Sequence, residues 1–264
     1  RRILAGSSAL NAMAGNLVED LDEVRDDNEV ILADRYRILP GSPLADLGTN
    51  GARAFAARDL RNPSDSLFAR ICDPNVFPRV EAMVQLKNLR EAYTIVPDDW
   101  GPVFWPPTGK HHFAIVFRRP DGGPLMPSLS GRIPKVPTET LIKSFLNPAL
   151  ITLTLFDRRK ITHRAIRPDN VFKSIGKSGN IMLGDCVSVP PGWGQSTIFE
   201  TIESSMTPAT ARGRGTVSDD IYALGVTLLC LGLGQCPVAE MSERDLLQAK
   251  LDQGSFTALL QGEV

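Results

Sequence analysis

The sequence predicts an α+β protein in which strands dominate the first half and helices the second. Three observations carry that expectation. Short apolar runs separated by glycine, asparagine and proline turns fill the stretch from Asp34 to Phe117. The long apolar run Ile221 to Gly234 has the length of a buried helix. Between them, a loop held by a proline, His163-Arg164-Ala165-Ile166-Arg167-Pro168-Asp169-Asn170, runs into the strand-like Val171-Phe172. Downstream, Gly179-Asn180-Ile181-Met182-Leu183-Gly184-Asp185 reads as a turn and an apolar strand ending in a carboxylate.

At 264 residues the chain can bury the core of one large domain or of two lobes. A formal net charge of −1 excludes bulk electrostatic attraction to nucleic acid or membrane. Arg118-Arg119 and Arg158-Arg159-Lys160 read as solvated faces. Cys72, Cys186, Cys230 and Cys236 show no CxxC spacing and three lie in apolar runs, so free buried thiols in a reducing, cytoplasmic compartment are expected. His111 and His112 have no partner at ligand spacing, which removes a zinc reading. The apolar run at 221–234 falls short of the ~20 residues of a membrane span.

Taken in order, residues 1–33 form an N-terminal segment with a helix expected over about 7–24, its stripe Leu10, Met13, Leu17 and Leu21. Strands follow at 35–39 and 52–59, joined by the turn Leu47-Gly48-Thr49-Asn50-Gly51, and at 66–72. A helix is expected over 77–93, then a loop-rich connection over 94–112 with room for one short strand. His112 to Phe117 is a strand. A helix over 138–156 must kink or break at Pro148, and one or two helices close the chain over 242–260.

Several of these motifs together resemble protein kinases of the bacterial serine/threonine type. His163 to Asn170 is similar to the catalytic loop H-R-D-x-K-P-x-N, and the strand ending at Asp185 to the one that delivers the D-F-G aspartate. Arg35-Tyr36-Arg37-Ile38, Leu47-Gly48-x-x-Gly51 and Ala57-Arg58-Asp59 resemble the opening glycine-rich hairpin. Phe117 to Leu125 resembles the link between lobes, with Phe117 as gatekeeper and Arg118 and Pro120 in the hinge. Ser218-Asp219-Asp220-Ile221-Tyr222-Ala223-Leu224-Gly225-Val226 is similar to S-D-I-Y-S-L-G-V, and places Asp220 as helix cap and anchor of the loop backbone. The resemblance implies two lobes: a small β-rich one over 34–119 and a larger helical one over 120–264, lacking the final helices of a complete kinase.

The same resemblance exposes losses. Ala165 stands where the catalytic base should be. With Ala69 matched to the alanine two residues before the phosphate-binding lysine, Ile71 takes the lysine position; a one-residue slip would put Arg70 there, pointing to the opposite face, and neither choice gives a lysine. Glu81 is the candidate for the glutamate that would pair with that lysine; without the lysine it reads as an exposed helix carboxylate. Asn170 and Asp185 remain, either as metal-side residues or as a hydrogen-bond network fixing the loop, and Arg167 replaces the loop lysine. Asp169 sits at a variable position whose side chain points away from substrate, out of reach of a proton. Pro120 lacks the N–H that adenine would accept from. The expectation is a catalytically inactive kinase-like domain acting through a protein partner, with no cofactor required. The alternative is a degenerate domain that keeps weak binding of ATP and magnesium, or an atypical phosphotransferase.

Overall fold

The computed structural model describes residues 29–87, 89, 92–173 and 180–263. Six antiparallel strands build the first lobe: β1 (Val30–Leu32), β2 (Tyr36–Pro43), β3 (Ala52–Asp59), β4 (Leu67–Cys72), β5 (Pro97–Trp105) and β6 (Lys110–Arg118). Their order in the sheet is β1-β2-β3-β4-β6-β5. Helix α1 (Val80–Leu86) packs on one face. Every residue of β4 is buried, as a central strand covered on both faces requires. Its side chains alternate. Phe68 and Cys72 join Ala54, Phe117 and the α1 residues Ala82, Met83 and Leu86. Leu67, Ala69 and Ile71 face the other way, among Tyr36, Ile38 and Trp105.

Three sequence expectations change here. The sheet starts before Asp34, because Val30 pairs with Ile38; the helix expected over 7–24 lies outside the described residues. The stretch at 94–112 holds the nine-residue strand β5 rather than mostly loop. Pro97 and Pro102 are tolerated because β5 is an edge strand with β6 as its one neighbour. Helix α1 is also shorter than the predicted span.

The second lobe begins with a helical run made of α2 (Thr138–Thr140), a π-helical stretch (Leu141–Leu146) and α3 (Asn147–Arg158). The π-helical stretch immediately precedes Pro148, which cannot donate to the turn before it. A short hairpin follows, β7 (Val171–Lys173) with β8 (Ile181–Leu183). It ties the two cores together: Phe172 belongs to the sheet-side cluster, Val171 to the helical one. Then come α4 (Ile202–Ser205), α5 (Val217–Leu233) and α6 (Glu243–Gln253). Helix α5 is capped by Thr216, whose side chain and backbone share a capping box with Asp219. Asp220, expected as the cap, lies inside the first turn. Ala223, Val226, Cys230 and Leu231 turn into the core, while Ile221 is exposed.

Candidate active-site cleft

The loop 163–170 is held from below by Asp220. Its two carboxylate oxygens accept the backbone N–H groups of His163 and Arg164, each at 2.7 Å. Burial pushes this carboxyl up to about 6, against the pull of those two donors. Arg164, at φ 58°, turns a buried guanidinium onto Glu200 at 2.9 Å and Asp219 at 3.4 Å. His163 is buried, stacks on Phe156 and places Nε2 3.2 Å from the Gly184 carbonyl. Its Nδ1 is buried without a partner, and burial pushes its pKa down to about 3, so the ring is neutral.

Arg70, not Ile71, enters the cleft. Ile71 packs into the opposite face of the sheet among Tyr36 and Trp105, so its placement at the lysine position is corrected. The register shifts by one: Phe68 stands where the alanine was expected. Arg70 is 1% exposed and donates through Nε to the Leu47 carbonyl at 2.9 Å and through Nη1 to Asp185. Burial works against the guanidinium charge and the Asp185 carboxylate restores it. Glu81 takes no part; it is exposed and pairs with Arg214 at 2.9 Å. Its neighbour Arg79 reaches inward instead, donating to the Thr162 and Cys186 carbonyls at 2.8 and 2.9 Å.

The metal-side pair does not fit a cation in this arrangement. Asp185 Oδ2 accepts from Arg70 and from the Ser188 N–H at 3.2 Å, and Oδ1 from the Val187 N–H at 2.9 Å. The Asn170 amide donates to the Ala165 and Asp185 carbonyls at 2.8 and 3.0 Å. Its oxygen presses on Gly184, where a Cβ would lie 2.0 Å away. Both residues are spent on fixing the loop. Ala165 offers no proton acceptor, and Asp169 is paired with Arg167 at 2.8 Å. Arg167 also donates to the Gly194 carbonyl at 3.1 Å. Burial raises Cys72 and Cys186 to about 12, which removes a thiolate nucleophile.

No family model matches the chain. Serine/threonine-protein kinase PknA of Nostoc sp. is 26% identical over 228 residues, covering 79% of this chain and 39% of that protein. The chain thus spans well under half the length of this curated relative. Among solved structures, Rad53 1–466 in complex with AMP-PNP superposes with a TM-score of 0.59 at 12% identity, covering 85% of this chain and 56% of that one. The chain has a protein kinase-like fold. Its β-rich sheet followed by a helical part matches the two lobes of that fold.

On the sheet side of the cleft the chain packs an aromatic cluster. Phe117, expected from sequence as gatekeeper, pairs across the sheet with Phe68, their rings 5.2 Å apart and stacked. Phe172 comes from the lobe below, and Leu47 and Ala54 from the glycine hairpin; all five are buried in one cluster. In the hinge, Arg118 is exposed between Asp65 and Asp98, at 3.7 and 3.8 Å. The link through Pro120 opens outward onto a cavity of about 690 Å³ with Leu47 and Ser66.

The other side of the cleft is closed by the segment from Ser188 to Glu200. Trp193 lies against the glycine hairpin: a Cβ on Gly51 would sit 3.2 Å from its Nε1. The space left between Ala165, Asn170, Asp185 and Trp193 is about 10 Å³, room for about one water. Two residues that sequence reasoning missed hold the segment down. Glu200 is buried against Arg164. Lys250 of α6, also buried, donates to the Thr197 and Glu200 carbonyls at 2.6 Å each. Burial pushes Lys250 down to about 8. A lysine inside the polar face of an ordinary-looking helix gives no sequence signal of this. Arg70 did give one, as a lone cation in an otherwise apolar strand.

Proposed function

We propose that this kinase-like domain transfers no phosphate and acts as a pseudokinase, through contacts with a protein partner. One observation carries the reading: Asp185 spends its carboxylate on Arg70 and on two backbone N–H groups. The charge that would neutralise a nucleotide's metal is consumed inside the chain. Ala165 and the aromatic filling of the adenine side support the same conclusion. An exposed apolar row supports action by contact: Phe77 is 79% exposed, and Val80 and Val84 continue its face along α1. Four buried free cysteines fit a reducing, cytoplasmic setting. Among the described residues no helix is long and apolar enough to cross a membrane.

A second reading, weak nucleotide binding, is favoured by the cavity outside Pro120. Calorimetry with ATP and magnesium, paired with radiolabelled phosphate transfer, tests both. The pseudokinase reading expects no transfer and no micromolar binding. Transfer that disappears in Asp185→Ala would overturn it; binding without transfer would establish the second reading.

A further inference from the structure

Beside the closed space, and sharing Thr49, Arg167 and Gly194 with it, lies a larger cavity of about 810 Å³. Residues between Ile38 and Pro43 bulge out of the β2–β3 register and form one wall, with Pro40 and Pro43 facing the space. Phe55 and Trp105, 4.7 Å apart, form the back, and Leu129 of the larger lobe the floor. The volume lies in the range that holds a small ligand, and such sites combine apolar walls with a few polar groups.

The polar lining mixes donors and acceptors: Thr49, Asn50 and Ser196 can do both, Arg53 and Arg167 donate, and Asp169 accepts. Arg53 is exposed on the rim and makes no ion pair or side-chain hydrogen bond among the described residues. Thr49 Oγ1 and Trp105 Nε1 belong to lining residues and have no partner among the described residues. The indole N–H can only donate. The cavity's carboxylate, Asp169, is neutralised by Arg167 at 2.8 Å. The rim therefore carries one surplus cation, and the walls are prolyl, leucyl and aromatic.

We propose that this cavity binds a small apolar acid, an aromatic or alkyl body bearing one carboxylate or sulfonate that pairs with Arg53.

The test uses 8-anilinonaphthalene-1-sulfonate on the native protein, followed by fluorescence. One saturable site is expected, displaced by 1-naphthoate and at least tenfold less well by the neutral 1-naphthamide. Arg53→Glu should weaken dye binding at least tenfold at an unchanged melting temperature, and Arg53→Gln should weaken it less. Leu129→Trp, which fills the floor, should abolish it while the protein still melts cooperatively. Absence of dye binding would overturn the proposal. So would binding that is indifferent to Arg53→Glu, or that naphthamide displaces as well as naphthoate.

Discussion

Arg70 and Asp185 hold each other in a space from which water is excluded, both under 4% exposed. Removing one charge strands the other, which costs about 3–5 kcal/mol for a buried pair. Arg70→Met should therefore lower the melting temperature by roughly 10 °C at about 2–4 °C per kcal/mol. Arg70→Lys should lose less; equal losses in a thermal melt would mean that the cation is not what matters. His163 makes a pH-dependent contribution. Its neutral ring is protonated near 3 when folded and near its ordinary 6.5 when unfolded. Between those values the unfolded state binds the extra proton, so stability is full above pH 6.5 and falls as pH drops toward 3. Arg79, Arg167 and Asp185 are the charges around it. Asp220, raised to about 6, acts in the opposite sense, losing stability as pH rises from about 4 to 6. His163→Phe keeps the stack on Phe156 and removes the titration. Urea midpoints of this variant should no longer rise between pH 4.5 and 7; a rise equal to that of the parent protein would assign the effect elsewhere. At this scale Asp220 and Asn170 were legible in the sequence because their loop keeps its spacing. Arg70 was misread because alternation tells which residues share a face, and not which face meets the cleft.

Among the elements, the segment from Ser188 to Glu200 was the least legible. It is rich in glycine, proline and serine, and its place depends on residues far along the chain. Lys250 is the distant clasp, with two short bonds to segment carbonyls. Lys250→Met keeps much of the side-chain bulk but leaves those buried acceptors unpaired, at about 1–3 kcal/mol each. Hydrogen exchange should then rise over 193–200 before the rest of the domain loosens. Unchanged protection there would mean that Glu200 and Arg164 suffice. Strands β3, β4 and β6 and helix α5 were visible because their apolar runs match their structural periods. Strand β5 was hidden by two prolines that only an edge position excuses. The kink foreseen at Pro148 takes the form of a π-helical stretch just before it.

For the whole molecule, contacts across the cleft bind the lobes at several levels. Arg79 reaches from α1 to the catalytic loop, the Leu183 carbonyl accepts from Ile95 at 2.9 Å, and Trp193 packs under the glycine hairpin. The two-lobed architecture was readable from sequence; the closure was not, since it depends on which side chains fill a space that the motifs only outline.

That filling bears on how the chain could change over generations. Ala165→Asp alone should restore no phosphate transfer in a radiolabel assay, and detectable activity in that variant would show the cleft to be open after all. Recovery needs, together, a smaller residue at Phe68, an amine at Arg70 and a displaced Trp193. Shrinking Phe68 opens a cavity in the core, and any change at Arg70 that removes its charge orphans the Asp185 carboxylate, each at a cost of several kcal/mol. A folded domain has about 5–15 kcal/mol in total, so the route back is steep at every single step. On the reading proposed above, the closed cleft resists change one residue at a time, while the exposed surface stays free to diverge.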